Sequence, residues 1–157
     1  MRRPLENRRD GEMPRLRAKR AIPEDAHEHY LRGAALEEHD VEAARAAYEA
    51  CLAGDCSHLN ARINLGRLLH LEGQRQQAEA IYRGSTDVHG ILLFNLGVLL
   101  EDLGRPAEAM AAYREALVHE PGMADAHYNL SLLHEAAGET QAAFRHLLSY
   151  RRLTHPY

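Results

Sequence analysis

From residue 25 onward, apolar positions follow a helical rather than a strand period. In FNLGVLLEDLGRPAEAMAAYREALVHEP (94–121), Leu96, Leu99, Leu100 and Leu103 fall on one helix face. Gly104 follows them, and glycine accepts the left-handed conformation that ends a helix. Pro106 suits the first turn of a second helix, where its missing N–H costs little. Ala109, Ala112, Tyr113 and Ala116 form the inward stripe of that second helix, and Pro121 stops it. The small residues Gly97 and Ala109 predict two antiparallel helices in close approach. Tyr113 is expected to fill the wider gap one turn on, and Ala116 to leave room for the next segment. Overpacking such a contact costs about 1–3 kcal/mol.

The pattern returns. HYLRGAALEEHDVEAARAAYEACL (29–52), INLGRLLHLEGQRQQAEAIYRGS (63–85) and YNLSLLHEAAGETQAAFRHLLSY (128–150) align with FNLGVLLEDLGRPAEAMAAYREAL (94–117). Ala44, Ala78, Ala109 and Ala143 then come into register at spacings of 34, 31 and 34. Repeats of this length, each two helices and a turn, predict an all-α solenoid of stacked antiparallel helix pairs. The expected units are about 25–58, 59–89, 90–123 and 124–157, preceded by a basic arm over 1–24. The second unit is three residues short, and RGSTDVHG (83–90), with Gly84 and Gly90, makes a looser joint.

These residues resemble the tetratricopeptide repeat, a 34-residue helix–turn–helix unit. Leu96, Gly97, Leu100, Gly104, Ala109, Tyr113, Ala116 and Pro121 match nearly all of its signature. The second unit matches with Leu65, Gly66, Leu69, Gly73, Ala78 and Tyr82. The fourth matches with Leu130, Ser131, Gly138, Ala143, Leu147 and, displaced by one, Pro156. The first is weakest, with Leu31, Ala44, Tyr48 and Cys51 but Arg32 at the glycine position.

The resemblance implies a right-handed superhelix whose first helices line a concave groove that holds a peptide or partner helix. Side chains at one position of each unit form a row along such a stack. Asn64, Asn95 and Asn129 share a position and resemble the asparagine ladder of some peptide-binding arrays. A carboxamide can donate to and accept from a peptide backbone. It can equally fix neighbouring repeats to each other, and both readings stand at this point. His29, Tyr30, Arg67, His70, Phe94, Glu101, Asp102, Tyr128 and Glu135 complete the expected lining, with Tyr30, Phe94 and Tyr128 as aromatic anchors. Receptors of this family for chaperone tails need several basic residues there. Ile91 and Asp125 stand in two such places and only Arg67 is present, which disfavours that ligand.

Composition changes the picture little. The chain is 157 residues long, 45% hydrophobic and 27% charged, with no tryptophan. Charge is uneven. Residues 1–24 hold eight Arg or Lys against four Asp or Glu, and the remainder 11 against 19. The bulk is therefore acidic and unlike a nucleic-acid binder. The arm reads either as a solvated tail or as a contact for nucleic acid or an acidic partner. Two cysteines make no disulfide framework. No apolar run reaches the roughly 18 residues of a membrane span, and the basic N-terminus lacks the apolar core of a secretory signal. A cytoplasmic location is the expectation.

Cys51, Cys56 and His58 are spaced more loosely than structural zinc sites. His127 and His134 could share a helix face, but His134 takes a position usually packed in the core. No cofactor or metal is expected. No nucleophile elbow, phosphate loop or dinucleotide fingerprint points to an enzyme. The leading expectation is a protein-interaction module. The repeats also resemble those attached to some bacterial transcriptional regulators, of which this chain would be the sensor or oligomerisation part. A third reading is self-assembly. Nothing after Tyr150 looks like a capping helix, so Phe144, Leu147 and Leu148 are expected to stay open to solvent.

Overall fold

The computed structural model describes residues 25–155. The expected arm over 1–24 and Pro156 lie outside the described residues. Within them are eight helices and no strand. They form four pairs: α1 (Ala26–Leu36) with α2 (Val41–Gly54), α3 (Leu59–Leu71) with α4 (Arg75–Arg83), α5 (Gly90–Asp102) with α6 (Pro106–His119), and α7 (Ala124–Ala136) with α8 (Thr140–Thr154). Each second helix packs on the first helix of its own pair and on that of the next, which makes a solenoid.

Local chemistry fixes the ends. Asp25 accepts from the Glu28 amide at 2.8 Å, and Glu28 accepts in return from the Asp25 amide, a capping box. Asp40 caps α2 through the Ala43 amide at 2.9 Å. Gly73, Gly104 and Gly138 take φ values of 77°, 69° and 76°, the left-handed turn expected after α3, α5 and α7. The first pair has no such glycine. Its turn, residues 37–40, is four residues long against three in the other pairs, and Asp40 at its end caps α2.

α1 ends nearer its glycine than α3 and α5 do, so Gly33 stands 11 positions before Ala44 where Gly66 and Gly97 stand 12 before Ala78 and Ala109, and this corrects the register of the first unit. Gly33, not Arg32, is the residue equivalent to Gly66 and Gly97. It is buried, and a Cβ placed on it would lie 2.6 Å from Cε1 of Tyr48. Gly97 stands in the same relation to Tyr113, at 2.5 Å, and Gly66 is tighter still against Tyr82. The role expected for Tyr113 is corrected too. Its ring does not fill a gap one turn away from the glycine but lies directly over it. In the fourth pair Ser131 stands at the glycine position and Leu147 at the tyrosine position; Ser131 is buried and donates to the Tyr128 carbonyl, while Leu147 is 39% exposed.

The core runs through all four pairs. Ala44, Ala78, Ala109, Cys51 and Ala116 are fully buried, as are the rings of Tyr48 and Tyr113. The short second unit is held differently. Buried Arg62 donates from Nη1 to the Ile81 carbonyl at 2.9 Å and from Nη2 to the Cys56 carbonyl at 2.6 Å. A cation there satisfies an end carbonyl of the truncated α4 and suits the negative end of its dipole. On α8 Phe144, Leu147 and Leu148 are exposed as expected, and Leu153 is exposed beside them.

Candidate protein-interaction face

The odd-numbered helices share one open face, and side chains lace it from unit to unit. Arg67 on α3 pairs with Glu37 at the end of α1. His70 Nε2 on α3 lies 2.7 Å from Asp102 Oδ2 on α5. Tyr48 donates to Glu37 Oε1 at 2.5 Å and accepts from Asn64 Nδ2 at 2.9 Å. The same relay recurs two units on. Tyr113 donates to Glu101 Oε1 at 2.5 Å and accepts from Asn129 Nδ2 at 3.0 Å. Burial and the acceptor carboxylate push both phenols well above the usual tyrosine range, so both remain protonated donors.

The middle unit breaks the relay. His70 stands where Glu37 and Glu101 stand, and it turns to Asp102. Among the described residues no hydrogen bond joins Tyr82 to Asn95. Burial alone pushes Tyr82 up to about 12. The asparagine row is thus two different things. Asn64 and Asn129 each commit one N–H to a strut between repeats and keep their carbonyl, while Asn95 makes no such strut.

Tyr30 lies 4.7 Å from the His58 ring and 6.1 Å from Tyr48, centre to centre. Phe94 rests 5.5 Å from Tyr113, and Tyr128 5.1 Å from Tyr150. Tyr30 and Phe94 are half-buried, while Tyr128 is 42% exposed. Beside them, Leu31, Ile91 and Leu132 are open at 53%, 38% and 45%. Glu135, Asp102 and Asp125 are exposed on the same helices. Read one residue out of register, the sequence puts Leu31 in the column of the core leucines Leu65, Leu96 and Leu130 and passes over Glu37. Counted from Gly33, Leu31 falls in the asparagine column and Glu37 in the column of His70, Glu101 and Glu135.

The histidines gather elsewhere. His127 Nδ1 is 2.9 Å from His146 Nδ1, and the His134 ring stacks on His146 at 5.4 Å. His134 Nδ1 meets Glu139 Oε2 at 2.5 Å. His146, on α8, was not in the sequence reading. Burial, then repulsion from His127, His134, Arg114 and Arg145, lowers it to about 4 from 6.5. Burial also lowers His127, opposed by the bond it donates to the Pro121 carbonyl. Cys51 is buried, which pushes its thiol up, and His58 caps α3 through the Ala61 amide at 3.2 Å. Among the described residues no three His, Cys, Asp or Glu side chains converge to hold a metal. No helix there is long and apolar enough to cross a membrane.

Stacked helix pairs with this small-residue register define a repeat solenoid. A family model described as tetratricopeptide repeat matches residues 73–119 and 94–154. Together these span more than half of the chain, which belongs to the tetratricopeptide repeat family. Among curated proteins no match reaches significance. Among solved structures, a crystal structure of MamA superposes with a TM-score of 0.76 at 17% identity, over 85% of this chain and 81% of that one. MamA from Desulfovibrio magneticus RS-1 gives 0.71 at 17% identity, over 85% and 78%. PilF of Pseudomonas aeruginosa gives 0.78 at 17% identity, over 83% of this chain and 61% of that one. At such identities these likenesses speak for the fold.

Two predictions follow from the geometry. Tyr113→Phe removes both bonds of one relay and should cost about 1–3 kcal/mol. Tyr82→Phe removes none and should stay within about 0.5 kcal/mol. Equal losses of the two variants in urea denaturation contradict the relay. The second concerns acid. His146 is neutral when folded and protonated when unfolded below pH 6.5, so stability is complete above 6.5 and lost as pH falls toward about 4. The thermal midpoint of His146→Phe, followed by circular dichroism, should fall less steeply over that window than wild type. Parallel slopes would remove the cluster from the account.

Proposed function

We propose that the chain is a docking platform that holds a peptide or partner helix against the open face of its odd-numbered helices. The observation that carries this is the set Leu31, Ile91, Tyr128 and Leu132, large apolar side chains left exposed on that one face. The family supports the class of function, since its members serve as interaction scaffolds. Clustered aromatic and aliphatic anchors concentrate binding energy at interfaces. Tyr30 and Phe94 lie half-buried beneath them, and Arg67, His70, Glu101, Asp102 and Glu135 form a polar border. Asn95 offers a full carboxamide to a bound backbone. Asn64 and Asn129 offer their carbonyls.

The exposed face of α8 supports a second reading, self-association of the chain through Phe144, Leu147 and Leu148. Capture of partners from the source cell, scored for wild type and variants, separates the two. Ile91→Lys with Leu132→Lys should reduce the recovered partner about tenfold or more, the loss of at least ~1.4 kcal/mol. Val118→Lys, at an exposed site on α6, should leave recovery unchanged. If the captured species is the chain itself, and Leu147→Lys with Leu148→Lys abolishes it, self-association replaces the groove.

A further inference from the structure

The open face is acidic as well as apolar. Glu37, Glu101, Asp102, Asp125 and Glu135 border it, against Arg67 and His70, and those two are already paired with Glu37 and Asp102. Its exposed apolar residues sit between these carboxylates. The complementary pattern occurs in this same chain. Residues 15–22 read RLRAKRAI, with Arg15, Arg17, Lys19 and Arg20 set among Leu16, Ala18, Ala21 and Ile22, and no acidic residue. They lie outside the described residues and are separated from the start of α1 at Ala26 by three residues, Pro23, Glu24 and Asp25.

Reach is sufficient. Residue 15 is 11 positions before Ala26, so it extends as far as about 36 Å. Four first helices side by side at about 10 Å span about 30 Å. The tether also supplies an effective concentration on the order of millimolar, so a weak contact suffices. The other exposed apolar surface does not fit this segment. α8 carries Arg145, Arg151 and Arg152 and no acidic residue.

We propose that residues 15–22 of the chain occupy its own open face, cations on the carboxylate border and Leu16 and Ile22 on the exposed apolar residues. A partner must then displace the segment, which makes it a built-in competitor. This deepens the reading of that face as a docking surface and rests on it.

The test uses the full chain with a nitroxide at Met13→Cys in a Cys56→Ser background, Cys51 being buried. Amides of Ile91, Tyr128 and Leu132 should lose more than half their signal relative to the reduced label. Raising salt from about 0.05 M to about 0.5 M should restore them, because screening shortens the range of the attraction. Asp125→Lys with Glu135→Lys should restore them too, and its amide spectrum reports whether the fold is kept. If that variant unfolds, the salt series decides. No selective loss, or loss centred on α8, overturns the proposal. Loss seen only when label and isotope are on different chains assigns the face to a second copy and also overturns it. If the segment does not dock while Ile91→Lys with Leu132→Lys still abolishes partner capture, this inference alone fails. If neither effect appears, the docking face itself is wrong.

Discussion

The architecture depends on a tyrosine ring packed against a residue that has no side chain. Tyr48, Tyr82 and Tyr113 each lie where a Cβ on Gly33, Gly66 or Gly97 would intrude. That contact sets how closely the two helices of a pair approach and fixes their rotation about their axes. A packed interior tolerates neither a void nor an added methyl without cost. The fourth pair carries neither partner, with Ser131 at the glycine position and Leu147 at the tyrosine position.

Everything on the open face inherits that rotation. With the glycine turned toward its tyrosine, the residues two before it and four after it point to one surface. This brings Asn64 to Tyr48 and Asn129 to Tyr113, and sets Glu37 and Glu101 as acceptors for the same hydroxyls. The tyrosine therefore does two things at once: its ring spaces the pair, and its hydroxyl joins one repeat to the next. The second unit keeps only the first of these. His70 has replaced the acceptor, and the short α4 relies on Arg62 for its end. The repeats are equivalent in spacing and unequal in how they are joined.

Much of this was legible in the sequence. Helical period, Gly73, Gly104 and Gly138, and the alanine register gave the pairs and their turns for the last three units. The first unit reads one position out of register because α1 ends two residues earlier relative to its glycine and the turn after it is one residue longer, a net offset of one. An alignment on Ala44, Ala78, Ala109 and Ala143 therefore puts Arg32 where Gly33 belongs, and no turn glycine marks the offset. The partner of Gly97 was misjudged because spacing tells which face a residue occupies and not how far its side chain leans along the helix. The His127–His146–His134 stack was hidden for a related reason. It joins two helices whose relative rotation only the packing sets. The asparagine row could be seen, but its division into two struts and one unbonded carboxamide depends on whether position 70 is an acid.

The central claim is that the tyrosine ring requires the missing Cβ, and a double-mutant cycle measures it directly. Gly97→Ala, Tyr113→Leu and the combination would be compared in chemical denaturation. The account predicts that alanine costs about 1–3 kcal/mol opposite tyrosine and much less opposite leucine, a positive coupling. Additive effects of the two substitutions would contradict it.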